Sequence, residues 1–427
     1  MIKSDSFSNQ FEFKGKARNW SIALIGVGIL GVLYGFLSGH AERTFSNLLL
    51  NAYYLVCLCL CGVCITAIAY VSQAAWATAI LRITQALGRA LPVAGLILFL
   101  VVCSGLYFTH AGQNDDGAQT TLSYLYKGWN LEGVTIPGNP NYNKVIAGKS
   151  VYMNVPFFLI RLAIYLTVYS FIGSRLRKKS VNEDEIGGMK NYKKSLSTSA
   201  FFLVVFMFTV PLFIFDVIMS LEPEWFSTLF AWYNLAGLLV SGFVAVTLVA
   251  MYLKEAGYMD WFSTEHLHTL GVLIFGLSIF WCYLWFEQFL LQYYANIPEE
   301  AIYFHKRWEP EYKSWFWVNM IINFCVPLFF FMSRDSKRKW KMMKVTCLIL
   351  IAGHWLDIWQ MVAPDTVGTQ VHGWYNQIGI IEVCTFAGFA GVFIYAVCTA
   401  LSKFKLMAPK NHPLLQESLH YCIIRRS

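Results

Sequence analysis

Asn47-Leu-Leu-Leu-Asn51-Ala-Tyr-Tyr-Leu-Val-Cys57-Leu-Cys-Leu-Cys61-Gly-Val-Cys64-Ile-Thr-Ala-Ile-Ala-Tyr-Val-Ser72 runs without one charged side chain. At about 1.5 Å per residue, a helix of that length outspans the roughly 30 Å hydrocarbon core of a bilayer. A membrane β-strand would alternate over about ten residues; this run is continuously apolar. Nine further segments read the same way, at 20–39, 90–109, 155–175, 196–219, 226–252, 270–294, 315–332, 342–363 and 376–401. The expectation is an all-α integral membrane protein of about ten transmembrane helices.

Composition agrees. Charged residues make up 14% of the 427, against about 25% in soluble domains, which leaves too little polar surface to clothe a water-soluble chain of this length. Disordered, collagen-like and coiled-coil chains are excluded, since each needs polar or repetitive sequence. The basic residues set orientation. Of 33 Lys and Arg, 25 fall on the side that holds the N-terminus and 7 on the other, with Arg161 inside a span. Both termini are therefore expected in the cytoplasm. The +8 net charge describes topology and gives no reason to invoke nucleic acid.

The expected organisation is a cytoplasmic segment over 1–19, a transmembrane domain over 20–401 and a cytoplasmic tail over 402–427. The first span follows a polar stretch and is long enough to stay as an anchor. Spans two to five (about 47–219) and six to nine (about 226–363) would make two similar four-helix halves. A periplasmic loop over about 110–154, rich in Gly, Asn and Asp, reads as an irregular segment with a partner-docking surface. The linker Lys178–Lys194 reads as a solvated connection.

Two patterns lose their usual meaning inside a membrane. Gly26-Val27-Gly28-Ile29-Leu30-Gly31 fits the dinucleotide-binding G-x-G-x-x-G, but no phosphate reaches a span interior, and Gly31, Gly35 and Gly39 continue a close-packing spacing. Cys57, Cys59, Cys61 and Cys64 lie on one helix, which cannot wrap a tetrahedral ion. They read as small packing residues. There is no C-x-x-C-H, and one mid-span histidine, His354, does not make a bis-histidine haem site.

Ionisable residues within spans cost a few kcal/mol each, so each is a site hypothesis. They are Arg161, Asp216, Glu287, His354, Asp357 and Glu382. Most fall in the outer half, with Arg161 and Glu382 about 9 Å below the outer surface. His354 and Asp357, three residues apart, share a helix face where they could exchange a proton. The pattern predicts an outward-opening polar pocket lined by Glu287, Asp357 and His354. A purely structural ion-pair cluster around Arg161 is the competing reading.

Five ordered strings carry a resemblance: Asp216-Val-Ile-Met-Ser-Leu-Glu-Pro-Glu-Trp-Phe-Ser-Thr-Leu-Phe230, Ser278-Ile-Phe-Trp-Cys-Tyr-Leu-Trp-Phe-Glu287, Tyr294-Ala-Asn-Ile-Pro-Glu-Glu300, Gly353-His-Trp-Leu-Asp357 and His412-Pro-Leu-Leu-Gln-Glu-Ser-Leu-His420. Across essentially its whole length the chain resembles the polysulfide-reductase/NrfD-like membrane subunits, in the version found in bacterial alternative complex III. The closest match is to the relative of that complex's quinol-binding membrane subunit. The resemblance implies two four-helix bundles plus two flanking helices, in the inner membrane of a bacterium. It also implies a quinol:cytochrome c oxidoreductase whose haem c and iron–sulfur clusters sit on partner subunits. Those partners would be a multihaem cytochrome c subunit, an iron–sulfur subunit and a homologous quinol-binding membrane subunit, with a terminal cytochrome oxidase beyond them. No cofactor is expected on this chain itself; quinone, menaquinone and lipid are the small molecules it would meet.

In the related quinol-binding subunit, the third helix supplies a His at its outer end and the fourth an Asp. His110 matches the first by position. Around Phe157-Phe-Leu-Ile-Arg161 no Asp matches the second, which argues against direct quinol oxidation here. The proton-path role implied by the resemblance maps onto Asp216, Glu287, His354 and Asp357. A stand-alone secondary transporter is the alternative of a different class. Mid-span breaks would favour it, and Pro211 and Pro327 are the main candidates for such breaks.

Overall fold

Long uncharged runs leave backbone amides and carbonyls no water to bond in a bilayer, so each run closes its hydrogen bonds within a helix. The computed structural model describes residues 10–113, 119–186, 189–368, 378–407 and 412–418. Ten helices in it are long and apolar enough to cross a membrane, one for each expected span. The chain is a multi-pass membrane protein. An even number of crossings puts both ends on one face, here called inner from the excess of basic residues.

In chain order the helices are α1 (Lys16–Leu37), α2 (Ala41–Val71), α3 (Leu81–Tyr107), α4 (Lys144–Lys149), α5 (Val155–Ile186), α6 (Met189–Val217) and α7 (Thr228–Glu255). Then follow α8 (Thr264–Ala295), α9 (Pro298–Trp308), α10 (Pro310–Met320), α11 (Val326–Phe331), α12 (Trp340–Thr366) and α13 (Ile380–Leu401). α10 and α11 are two parts of one crossing, joined by a π-helical turn at Ile321–Cys325. α4 and α9 are short and lie at the outer face.

Neighbour relations close two rings. α2 packs on α3, α3 on α5, α5 on α6 and α6 back on α2. α7 packs on α8 and α12, and the α10–α11 crossing fills the gap between those two. The rings meet where α2 touches α7 and α12, so α2 is at the centre; all of 49–65 is buried, and every residue there but Asn51 and Gly62 is apolar. α1 and α13 form a pair outside the rings, with α13 against α2 and α3. Backbone contact makes that pair: a Cβ on Gly28 would lie 2.4 Å from the Cα of Gly388. Gly28 and Gly31 of the glycine pattern are thus a helix-packing surface.

Two stretches differ from the sequence-based expectation. Lys178–Lys194 is helical as far as it is described: α5 runs to Ile186 and α6 begins at Met189. Lys, Arg and Glu are good helix formers, so apolarity ends the span while the helix continues into water. The outer loop after α3 is a folded cap. β1 (Thr109–Gln113) and β2 (Gln119–Ser123) form an antiparallel hairpin. The cap is fastened to the helix ends by Tyr126 Oη donating to the Val217 carbonyl (2.9 Å), Lys127 Nζ to that of Thr366 (3.1 Å) and Lys149 Nζ to that of Pro223 (2.8 Å). Pro211 leaves α6 unbroken. Residues 1–9 and the motif's end beyond Ser418 lie outside the described residues.

Candidate functional site

Polar side chains of three other crossings converge on Asp357 of α12. Pro327 starts the construction. Proline has no N–H and its ring displaces the carbonyl four residues back, here that of Asn323. The π-turn at Ile321–Cys325 absorbs this, and such turns frequently mark functional sites. Asn319 and Asn323, four residues apart, share the face toward α12. Asn323 Nδ2 donates to Asn319 Oδ1 (2.6 Å) and to the Gly353 carbonyl (2.9 Å). Residue 353 must be glycine for this approach, because a Cβ there would lie 2.4 Å from Asn323 Oδ1.

Asp357, 2% exposed, accepts from three elements at once. Asn319 Nδ2 of α10 (2.8 Å) and the Tyr233 hydroxyl of α7 donate to Oδ1; Trp281 Nε1 of α8 donates to Oδ2 (3.1 Å). Every other crossing of the second bundle therefore holds this one carboxylate. Buried charge persists only when so compensated. His354, one turn before it, stands edge-on to Trp281 with ring centroids 5.6 Å apart. It does not bond Asp357, and neither of its nitrogens has a partner among the described residues.

A cavity of about 10 Å³ adjoins both residues at the seam between the bundles. Tyr53, Tyr54 and Cys57 of α2 line one side, Asn234 and Ser241 of α7 another. That is room for about one water molecule. Tyr53 Oη donates to Asn234 Oδ1 across it (3.3 Å). The arrangement can hold a carboxylate, an imidazole and a single water in line, which is what short-range proton exchange requires.

The other sequence candidates lie elsewhere. Arg161 and Asp216 form a two-pronged ion pair (2.9 Å and 2.9 Å) between α5 and α6, in the first bundle. The Arg161 guanidinium also donates to the Tyr152 carbonyl and sits 3.7 Å from the Tyr152 ring centre. Glu382, 1% exposed, takes both prongs of Arg43 (2.6 Å and 2.7 Å), Asn47 Nδ2 (2.7 Å) and the Gly379 amide (2.7 Å). It pins α13 to α2. Glu287 is not in the pocket with Asp357 and His354. It is half-buried on the face of α8 that carries the exposed Tyr283 and Leu291. The expected Glu287–Asp357–His354 lining fails because Trp281, one and a half turns away on α8, is the residue that faces α12.

His110 lies in β1, past the end of α3, and its Nε2 is 2.9 Å from Oε1 of Glu42. Its ring stacks on Tyr124 at 4.6 Å, and its buried Nδ1 has no partner among the described residues. Glu42 stands in the first turn of α2.

Several contributors carry no strong sequence signal. Tyr233, Trp281, Asn319 and Asn323 read as ordinary span residues; the Asn pair four apart, just ahead of Pro327, was the available hint. Arg307 and Asp365 form a buried pair (2.8 Å) at the outer end of α12, two turns above Asp357. Burial lowers the Arg307 affinity for its proton, but the charge of Asp365 outweighs it and raises it overall. Glu222 beside Lys306 is raised, first by burial and then by the charge of Asp365. Among the described residues no three His, Cys, Asp or Glu side chains converge to hold a metal ion.

Neither the family models nor the curated proteins give a match to the chain.

Proposed function

We propose that this chain is a membrane subunit of a quinol-oxidising respiratory complex in a bacterial inner membrane, of the NrfD-like kind found in alternative complex III. Its own part is to conduct protons or to hold the assembly together, while haem c and iron–sulfur clusters on partner subunits carry electrons. Two things support this. The five ordered motifs carry the family resemblance. The observation that carries the proton role is Asp357, held by Tyr233, Trp281 and Asn319 next to an unpartnered His354 and a water-sized cavity. Ionisable groups are kept in membrane interiors chiefly along ion and proton pathways.

Two measurements test it. The chain should copurify with a multihaem cytochrome and an iron–sulfur protein; isolation as a functional monomer overturns the assembly reading and favours a stand-alone transporter. Asp357→Asn, which keeps the side chain's shape, should lower proton release per electron while quinol oxidation continues. Unchanged proton stoichiometry in an intact complex removes the proton role.

A second reading, direct quinol binding, is favoured by the His110–Glu42 pair. A histidine paired with a carboxylate is the acid–base couple that deprotonation of a quinol hydroxyl needs. His110→Ala distinguishes the readings. Loss of quinol oxidation in an assembled complex supports binding at His110, and retention restricts this chain to the proton or scaffold role.

A further inference from the structure

The pair α1–α13 is tight within itself and is pinned to the first bundle at its outer end, but it does not close on the bundles along its inner half. Between it and α2, α7 and α12 runs a groove of about 500 Å³. Leu24, Phe389 and Phe393 face Leu58, Leu248 and Leu348 across it, and its surface is almost wholly apolar. The polar groups at its deep end are already satisfied. Tyr54 Oη donates to the Ile351 carbonyl (2.9 Å), while Asn51 donates to the Asn47 carbonyl (2.8 Å) and accepts from Trp355 Nε1 (3.0 Å). Nothing there asks for water or for a ligand with polar oxygens, and a cavity of this kind excludes water.

Its direction is informative. Along α13 the lining runs from Phe386 to Leu401, about 22 Å at helical rise. The groove ends at Asn51 in mid-membrane and reaches the inner face at Ala17, Trp20 and Leu401. That is somewhat longer than half of a roughly 30 Å hydrocarbon core, so a chain filling it enters from the inner leaflet. The mouth is basic. Gln10 bridges to Lys405 and its Nε2 donates to the Ser402 carbonyl (2.6 Å), which draws the two terminal segments together. Exposed Lys14, Lys16, Arg18, Lys403 and Lys405 lie on the segments that flank it, and among the described residues 10–20 and 401–407 the one acid is Glu12, paired with Lys14. Basic clusters at this level recognise anionic headgroups.

We infer that the groove holds one acyl chain of an anionic phospholipid of the inner leaflet, its phosphate resting on Lys16, Arg18 and Lys403. The lipid completes the packing of α1–α13 against the bundles. This stands independently of the respiratory reading.

The test is native mass spectrometry of the detergent-purified chain, delipidated and then offered phosphatidylglycerol or phosphatidylcholine of equal chain length. One phosphatidylglycerol per chain should survive washing that removes the rest. Ala390→Phe, which fills the groove, should lower its retention at least tenfold. Lys16→Gln/Arg18→Gln/Lys403→Gln, which leaves the core untouched, should abolish the preference for phosphatidylglycerol. In liposomes, phosphatidylglycerol brominated on its acyl chains should quench a fluorescence component that Trp20→Phe removes. Equal retention of phosphatidylcholine, undiminished retention by a folded Ala390→Phe variant, or a retained isoprenoid quinone in place of phospholipid would each overturn the inference.

Discussion

Asp357 accepts hydrogen bonds from Tyr233, Trp281 and Asn319, while His354, one turn earlier on α12, has a partner on neither nitrogen among the described residues. Truncating the two residues should therefore have unequal effects on stability. Asp357→Ala orphans three buried donors, at about 1–3 kcal/mol each. His354→Leu removes two unsatisfied polar atoms and keeps most of the volume, so it should cost less than about 1 kcal/mol. Denaturant titration in detergent, followed by tryptophan fluorescence, checks both. A His354→Leu cost as large as that of Asp357→Ala would mean that the imidazole is held in place by bound water.

Arg161 and Asp216 form a pair with two parallel bonds, 9% and 2% exposed at the side chains. Removing one partner strands the other charge, at about 3–5 kcal/mol for a buried pair. Asp216→Ala should therefore lower the unfolding midpoint sharply. Arg161→Met/Asp216→Leu should recover most of the loss, because two apolar residues restore packing without a stranded charge. The thermal midpoints of the three variants decide it. A double variant no better than Asp216→Ala gives the pair a role beyond neutralising charge between α5 and α6.

The crossings were legible because the hydrocarbon core imposes a length and an apolarity on every span, and 47–72 meets both without a charged residue. The ionisable residues were legible as costs, since a charge in a span stands out whatever it does. Their partners were not. Whether Glu287 faces α12 or the outside depends on how far α8 is rotated about its axis, and the apolar residues around α8 are too uniform to fix that rotation. Asn319 and Asn323 share a helix face by their four-residue spacing, but that this face meets α12, and not lipid, is set by how the α10–α11 crossing packs. Glu42 reaches His110 only because the cap after α3 folds back over the start of α2.

His412 sits in the inner-face segment 412–418 and meets Tyr192 edge-on at 5.6 Å. Burial first, and then the charge of Arg82, pull its pKa from 6.5 down to about 4. The folded state thus favours the neutral ring. Its contribution is whole above the unfolded value of about 6.5 and is lost as pH falls through about 4. Hydrogen exchange of the 412–418 amides, corrected for the intrinsic effect of pH, should show protection at pH 7.5 that declines toward pH 4. His412→Phe should keep its protection across that range. A decline of equal size in the variant transfers the effect to another group.

Gly28 and Gly388 meet backbone to backbone, and a Cβ on Gly388 would lie 2.5 Å from the Gly28 Cα. Gly26, two residues away on the same helix, has nothing within 4 Å of its missing Cβ. The comparison separates packing from propensity. Alanine at 26 swaps glycine for a better helix former in open space, so Gly26→Ala should be neutral or slightly stabilising, by up to about 1 kcal/mol. Gly28→Ala and Gly388→Ala must instead push α1 off α13, since the clash is with backbone, which no rotamer change relieves. Cys384 reports the separation because its Cβ lies against Gly31 in the same seam. Its labelling by a membrane-permeant thiol reagent should accelerate in both seam variants and stay at the wild-type rate in Gly26→Ala. Equal rates in all three would mean that Arg43–Glu382, and not the glycine contact, holds the pair to the body of the protein.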